Sequence, residues 1–118
     1  MAFINVIEFV TIASTGDGTD FGDLSAIRGN AAGVSSATRG VCGGGRTPTL
    51  VNVIEFITIA SAGNTTDFGD LSVTRGYATG ASNSIRGTFG GGLTPSISNV
   101  IDFITIASTG DATDFGDL

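Results

Sequence analysis

The residues best suited to chemistry in this sequence recur at a single phase. Asp17, Asp20 and Asp23 return as Asn64, Asp67 and Asp70, and again as Asp111, Asp114 and Asp117. Clustered carboxylates suggest calcium, because a hard cation collects several oxygen ligands from one turn. The spacing is not that of an EF-hand loop, however, and Asn64 shows that the first position dispenses with charge. Aspartate beside glycine is also what a tight turn uses, its side chain bonding to nearby backbone. These clusters are therefore read as turn formers, with no metal and no cofactor; calcium and polar interface contacts are the alternatives.

The cations recur in the same way, Arg28 with Arg75 and Arg39 with Arg86, and the sequence has no lysine. A planar guanidinium makes two parallel hydrogen bonds to a carboxylate, which an ammonium cannot. Fixed phase and all-arginine selection predict salt bridges between neighbouring repeats. They would run from Arg28, Arg39, Arg75 and Arg86 to Asp20, Asp23, Asp67, Asp70, Asp114 and Asp117 of the recurring "DFGD". A ring of arginines that lines a channel or binds an acidic glycan is the functional alternative, and plainly solvated side chains are the simplest one.

Catalysis finds little support. Acid–base chemistry needs a group of tuned pKa held against a partner, and the sequence offers no histidine, one cysteine and one tyrosine, Tyr77. A carboxylate pair suffices for glycoside hydrolysis, which leaves Glu8 and Glu55, replaced at the same phase by Asp102, as the strongest candidates. All three lie inside an apolar stretch, and near-identical repeats present every constellation more than once. No enzyme is expected. Cys42 stands where the next repeat has Phe89 and reads as a small buried hydrophobe rather than a nucleophile. A lone cysteine without histidine makes neither a disulfide nor a zinc site within one chain.

Charge narrows the partners. Nine Asp and two Glu against five Arg give a formal net charge of −6, the wrong sign for neutralising nucleic-acid phosphates or for docking on anionic lipid. No stretch approaches the roughly 18–20 apolar residues that a bilayer-spanning helix needs. The apolar opening "MAFINVIEFVTIAS" has no basic flank, is interrupted by Glu8 and recurs internally, so it belongs to the fold rather than to a signal peptide.

What positions these residues is a repeat of 47. "NVIEF" begins at Asn5 and Asn52, "NVIDF" at Asn99, and 29 of 47 positions are identical between residues 5–51 and 52–98. The 118 residues thus form a single repeat domain of about 2.5 copies, 5–51, 52–98 and a partial 99–118. Such a period marks an array whose units cannot bury their own apolar faces and must stack. Within one unit, "NVIEFVTIAS" is rich in Val, Ile, Phe and Thr and reads as a buried strand. "TGDGTDFGDLSAIR", with Gly and Asp turns around Phe21 and Leu24, reads as a hairpin into a shorter strand, "GNAAGVSSATR" as a small-residue strand and turn, and "RGVCGGG" as a short strand ending in glycine. Four short antiparallel strands per unit and no helical period predict an all-β, propeller-type repeat. Gly43, Gly44 and Gly45, matched by Gly90, Gly91 and Gly92, suit backbone bends and close packing of neighbouring sheets. A phosphate-cradling loop would need a helix and a lysine, and neither is predicted.

"TRGVCGGG" and "IRGTFGGG", each followed by "NVIEF" or "NVIDF", resemble the kelch repeat, in which a strand ending in a glycine doublet precedes a hydrophobic strand. The whole chain is also similar to tandem repeats of bacteriophage structural proteins, and that resemblance implies a virion or extracellular location. Together these give a structural or surface-recognition module that assembles as a homo-oligomer or with other copies of the same repeat. A glycan-binding lectin-like propeller and a self-assembling β-filament are the rivals, with a surface glycan as the partner in the first case. Because a propeller needs about four to eight blades, residues 3–24 and 99–118 are expected to contact other chains or further repeats of a longer array, and the 118 residues alone are not expected to be a stable monomer.

Overall fold

A computed structural model describes residues 2–118 and shows an all-β chain of ten strands in three antiparallel sheets, with no helix among the described residues. The strands are β1 (Ile4–Phe9), β2 (Thr19–Arg28), β3 (Ala32–Ser35), β4 (Arg39–Gly43) and β5 (Val53–Thr58). They continue with β6 (Thr66–Asp70), β7 (Thr79–Ser82), β8 (Arg86–Gly90), β9 (Val100–Thr105) and β10 (Thr113–Asp117). β3 to β6 form one four-stranded meander and β7 to β10 a second, while β1 and β2 pair as a two-stranded ribbon. Each type of strand predicted within the 47-residue unit is present in this order. The sheets nevertheless cross the repeat boundaries. Each four-stranded sheet takes its first two strands from one copy and its last two from the next.

Local composition explains where the elements bend. "VIEFIT" stays extended over six residues and then turns through Ile59 and Ala60, closed by the Ser61 N–H donating to Thr58 O at 3.0 Å. The partner strand "TDFGD" carries a β-bulge in each copy: Ile54 pairs Gly69 and Glu55 pairs Asp67, which leaves Phe68 extra. Phe21 and Phe115 are displaced in the same way. A bulge frees one residue from the ladder, and here that residue's ring packs on the phenylalanine of the paired strand. Phe9–Phe21, Phe56–Phe68 and Phe103–Phe115 meet edge to face at centroid separations of 5.9 Å, an arrangement worth about 0.5–1.5 kcal/mol each beyond simple burial.

The core lies between the two larger sheets and is built from Val34, Val41, Ile54, Phe68, Leu71, Phe89, Ile104 and Ile106. Small residues set the spacing. A Cβ at Gly80 or Gly87 would strike Gly33 or Val34, so β3 lies directly on β7 and β8. The ring of Phe89, fully buried, fills the space over Gly43. Among the described residues no sheet precedes the β1–β2 ribbon and none follows β7–β10.

Candidate functional site: a repeated polar joint between sheets

Two buried ion pairs hold the sheets together, Arg28 with Glu55 and Arg75 with Asp102, and they are related by the 47-residue period. Arg28 ends β2 and reaches the second sheet; Arg75 follows β6 and reaches the third. The sequence places the carboxylates in the hydrophobic heart of β5 and β9, where an uncompensated charge would be costly. Three kinds of donor compensate it. Arg75 Nη2 donates to Asp102 Oδ2 at 2.8 Å, while Ser72 supplies its backbone N–H to Oδ2 at 3.1 Å and its hydroxyl to Oδ1 at 2.8 Å. Glu55 accepts from the Ser25 N–H at 2.9 Å and the Thr65 hydroxyl at 2.6 Å as well as from Arg28. The third copy has Ala112 where the second has Thr65, and the Ser72 hydroxyl there takes over the missing bond.

Each guanidinium also caps strand carbonyls. Arg75 donates to Val100 O at 2.7 Å and Phe89 O at 3.4 Å, and Arg28 to Gly44 O at 3.3 Å and Val53 O at 3.4 Å. Among the described residues, the buried side-chain polar atoms without a partner are the Nε atoms of these two arginines. One planar cation thus stitches two strands of the next sheet to the end of the previous one, a task that needs several donors in one plane. Burial pushes the Glu55 carboxyl up, but the Thr65 and Ser25 hydrogen bonds and the Arg28 charge together outweigh it and hold it below its ordinary value. Burial pushes the Cys42 thiol up, against the opposing pull of Arg28. Cys42 is half-buried, with Sγ 4.0 Å from Arg28.

The predicted bridges to "DFGD" are corrected. Arg28 and Arg75 do bridge copies, but their partners are Glu55 and Asp102; Asp20, Asp23, Asp67, Asp70, Asp114 and Asp117 enter neither ion pair. Those aspartates lie on the outermost strands of the sheets, largely exposed, where a solvated charge costs nothing and discourages edge pairing. Among the described residues Arg39 and Arg86 are not ion-paired either. Their guanidinium groups lie over Phe56 and Phe103 at 4.1 and 4.2 Å from the ring centroids, and Arg39 donates to Ile106 O at 2.9 Å in the next sheet. Stacking on the ring face satisfies the cation without a carboxylate. The signal that identified the true partners was present in the sequence: a lone acid in an apolar strand, 27 residues after an arginine in both copies.

The first member of the second and third acidic clusters has a separate structural use. Asn64 Oδ1 accepts from the Asp23 N–H at 3.0 Å, and Asp111 Oδ1 from the Asp70 N–H at 3.1 Å. The same loops donate Gly63 N–H to Phe21 O and Gly110 N–H to Phe68 O, both at 2.8 Å. The acceptors are the bulged phenylalanines, whose carbonyls the ladder has released. Only an acceptor oxygen is required, which is why asparagine serves as well as aspartate. No group of three acidic, histidine or cysteine side chains capable of holding a metal ion occurs among the described residues.

The predicted glycines fall where β4 and β8 end. Gly43 and Gly90 close the strands, and Gly44, Gly45, Gly91 and Gly92 turn the chain at positive φ. At Gly44, with φ of 69°, a Cβ would also overlap the carbonyl of Arg75, so the turn and the arginine joint are packed together. Glu8, at the phase of Glu55 and Asp102, is exposed and has no arginine. Beside it an open cleft of about 770 Å³ runs between β1 and the faces of Gly33, Gly40 and Cys42.

Fold and site together define an all-β protein of stacked sheets joined by a repeated polar contact. No family model matches the chain, and no curated protein is significantly similar to it. No helix among the described residues is long and apolar enough to cross a membrane.

Proposed function

We propose that this chain is a non-enzymatic structural or surface-recognition module of a virion or other extracellular assembly, whose sheets are blades of a kelch-like, propeller-type array completed by further copies of the repeat. The observation that carries this reading is the polar joint itself, made twice with the same phase. Its two buried carboxylates are consumed by arginine and serine from the preceding copy, so the acids best placed for acid–base work serve as fasteners. The fan of sheets supports the blade reading, because first strand packs on first strand where β3 meets β7.

Native mass spectrometry and sedimentation of the purified chain test this function. The expected result is folded assemblies heavier than the 11.8 kDa chain. A folded species of one chain mass at every concentration would refute it. Glycan-array binding by such a monomer would replace it with the lectin reading.

A further inference from the structure

We infer that a second copy of this chain docks its loop Gly16–Asp17–Gly18 on the outer strand β10, repeating head to tail the joint already made twice within the chain. The inference rests on the assembly reading and names its contact. Inside the chain, the loop before each outer strand bonds to the outer strand of the preceding sheet. Gly63 N–H reaches Phe21 O, Thr65 N–H reaches Asp23 O at 3.0 Å, and Asn64 answers the Asp23 N–H. Gly110, Ala112 and Asp111 do the same to Phe68, Asp70 and the Asp70 N–H. Shifting by 47 once more pairs Phe115 and Asp117 of one copy with Gly16, Gly18 and Asp17 of the next.

Both halves of that third joint stand open and fit each other. A Cβ at Gly22 or Gly69 would collide with the carbonyl of Gly63 or Gly110, whereas nothing lies within 4 Å of the same point at Gly116. Phe68 is 3% exposed where the next loop covers it, and Phe115 is 54% exposed. Phe68 shares a pocket with Ile104, and Phe21 with Ile57; the matching residue on the incoming ribbon is Val10, which is 55% exposed. A head-to-tail contact of this kind is heterologous, so it propagates until it closes a ring or extends a fibre.

Sedimentation equilibrium of the full chain and two variants decides the matter. Asp17→Asn is expected to associate like the parent, because Asn64 makes the same bond internally. Asp17→Ala is expected to weaken association by about tenfold or more through loss of a charge-assisted hydrogen bond, with an unchanged melting curve under dissociating dilution because Asp17 is exposed in the single chain. If Asp17→Ala associates as tightly as the parent, the proposed contact is wrong although assembly stands. A parent chain that stays at one chain mass overturns both.

Discussion

Replacing Arg75 by methionine tests whether the arginine joint carries the stability attributed to it. Arg75 and Asp102 are both fully buried, so the substitution leaves a carboxylate in the core with only the Ser72 donors. Breaking a buried pair from one side costs about 3–5 kcal/mol, and the surviving Ser72 bonds put this case at the lower end, about 3 kcal/mol. For a chain of this size that lowers the melting temperature by about 12 °C. Arg75→Lys keeps the charge but cannot serve Val100 O, Phe89 O and Asp102 together, and a loss of about 1.5–3 kcal/mol is expected. Exchanging both partners in Arg75→Met/Asp102→Leu removes the stranded charge and returns stability to within about 1 kcal/mol of the parent. Urea titration of the parent, Arg75→Met, Asp102→Leu and the double variant supplies the cycle. If Arg75→Met costs under about 1 kcal/mol, or the two single losses simply add in the double variant, the joint is not a coupled unit.

Glu55 and the bulge glycines give two further tests. The Glu55 carboxyl is held below its ordinary value in the folded chain, so its contribution is complete above the unfolded value of about 4.3 and is lost as pH falls from there through the lower folded value. Urea midpoints should therefore drop on acidification below about pH 4.3 and drop less in Glu55→Gln; identical acid limbs would show that Glu55 is not linked to folding. Gly69→Ala and Gly116→Ala share a positive φ of 152° and 143°, but only Gly69 faces a neighbouring carbonyl. Gly69→Ala should cost at least about 2 kcal/mol more than its twin, measured by thermal melting under dissociating dilution, and equal losses would mean that backbone conformation alone sets the price.

The sequence by itself determined the all-β class, the four strand types of each unit and the phase at which anything functional must recur. It could do so because β-branched runs, glycine punctuation and a 47-residue period act locally and survive without knowledge of contacts. It also showed that some residue at that phase would join neighbouring copies through arginine. Which acid answers Arg28 and Arg75 was decided only in three dimensions. The "DFGD" aspartates looked the better partners, but the strand order puts them on an outer strand of each sheet, in water, while Glu55 and Asp102 are carried into the core by the strands they interrupt. The division of each sheet between two copies likewise depended on tertiary structure, because a repeat boundary drawn in sequence is arbitrary in phase and the hydrogen-bonded ladder fixes it. Asp17, Asn64 and Asp111 look alike in the sequence; only the stacking of one sheet on the next gives Asn64 and Asp111 their backbone partners and leaves Asp17 facing outward.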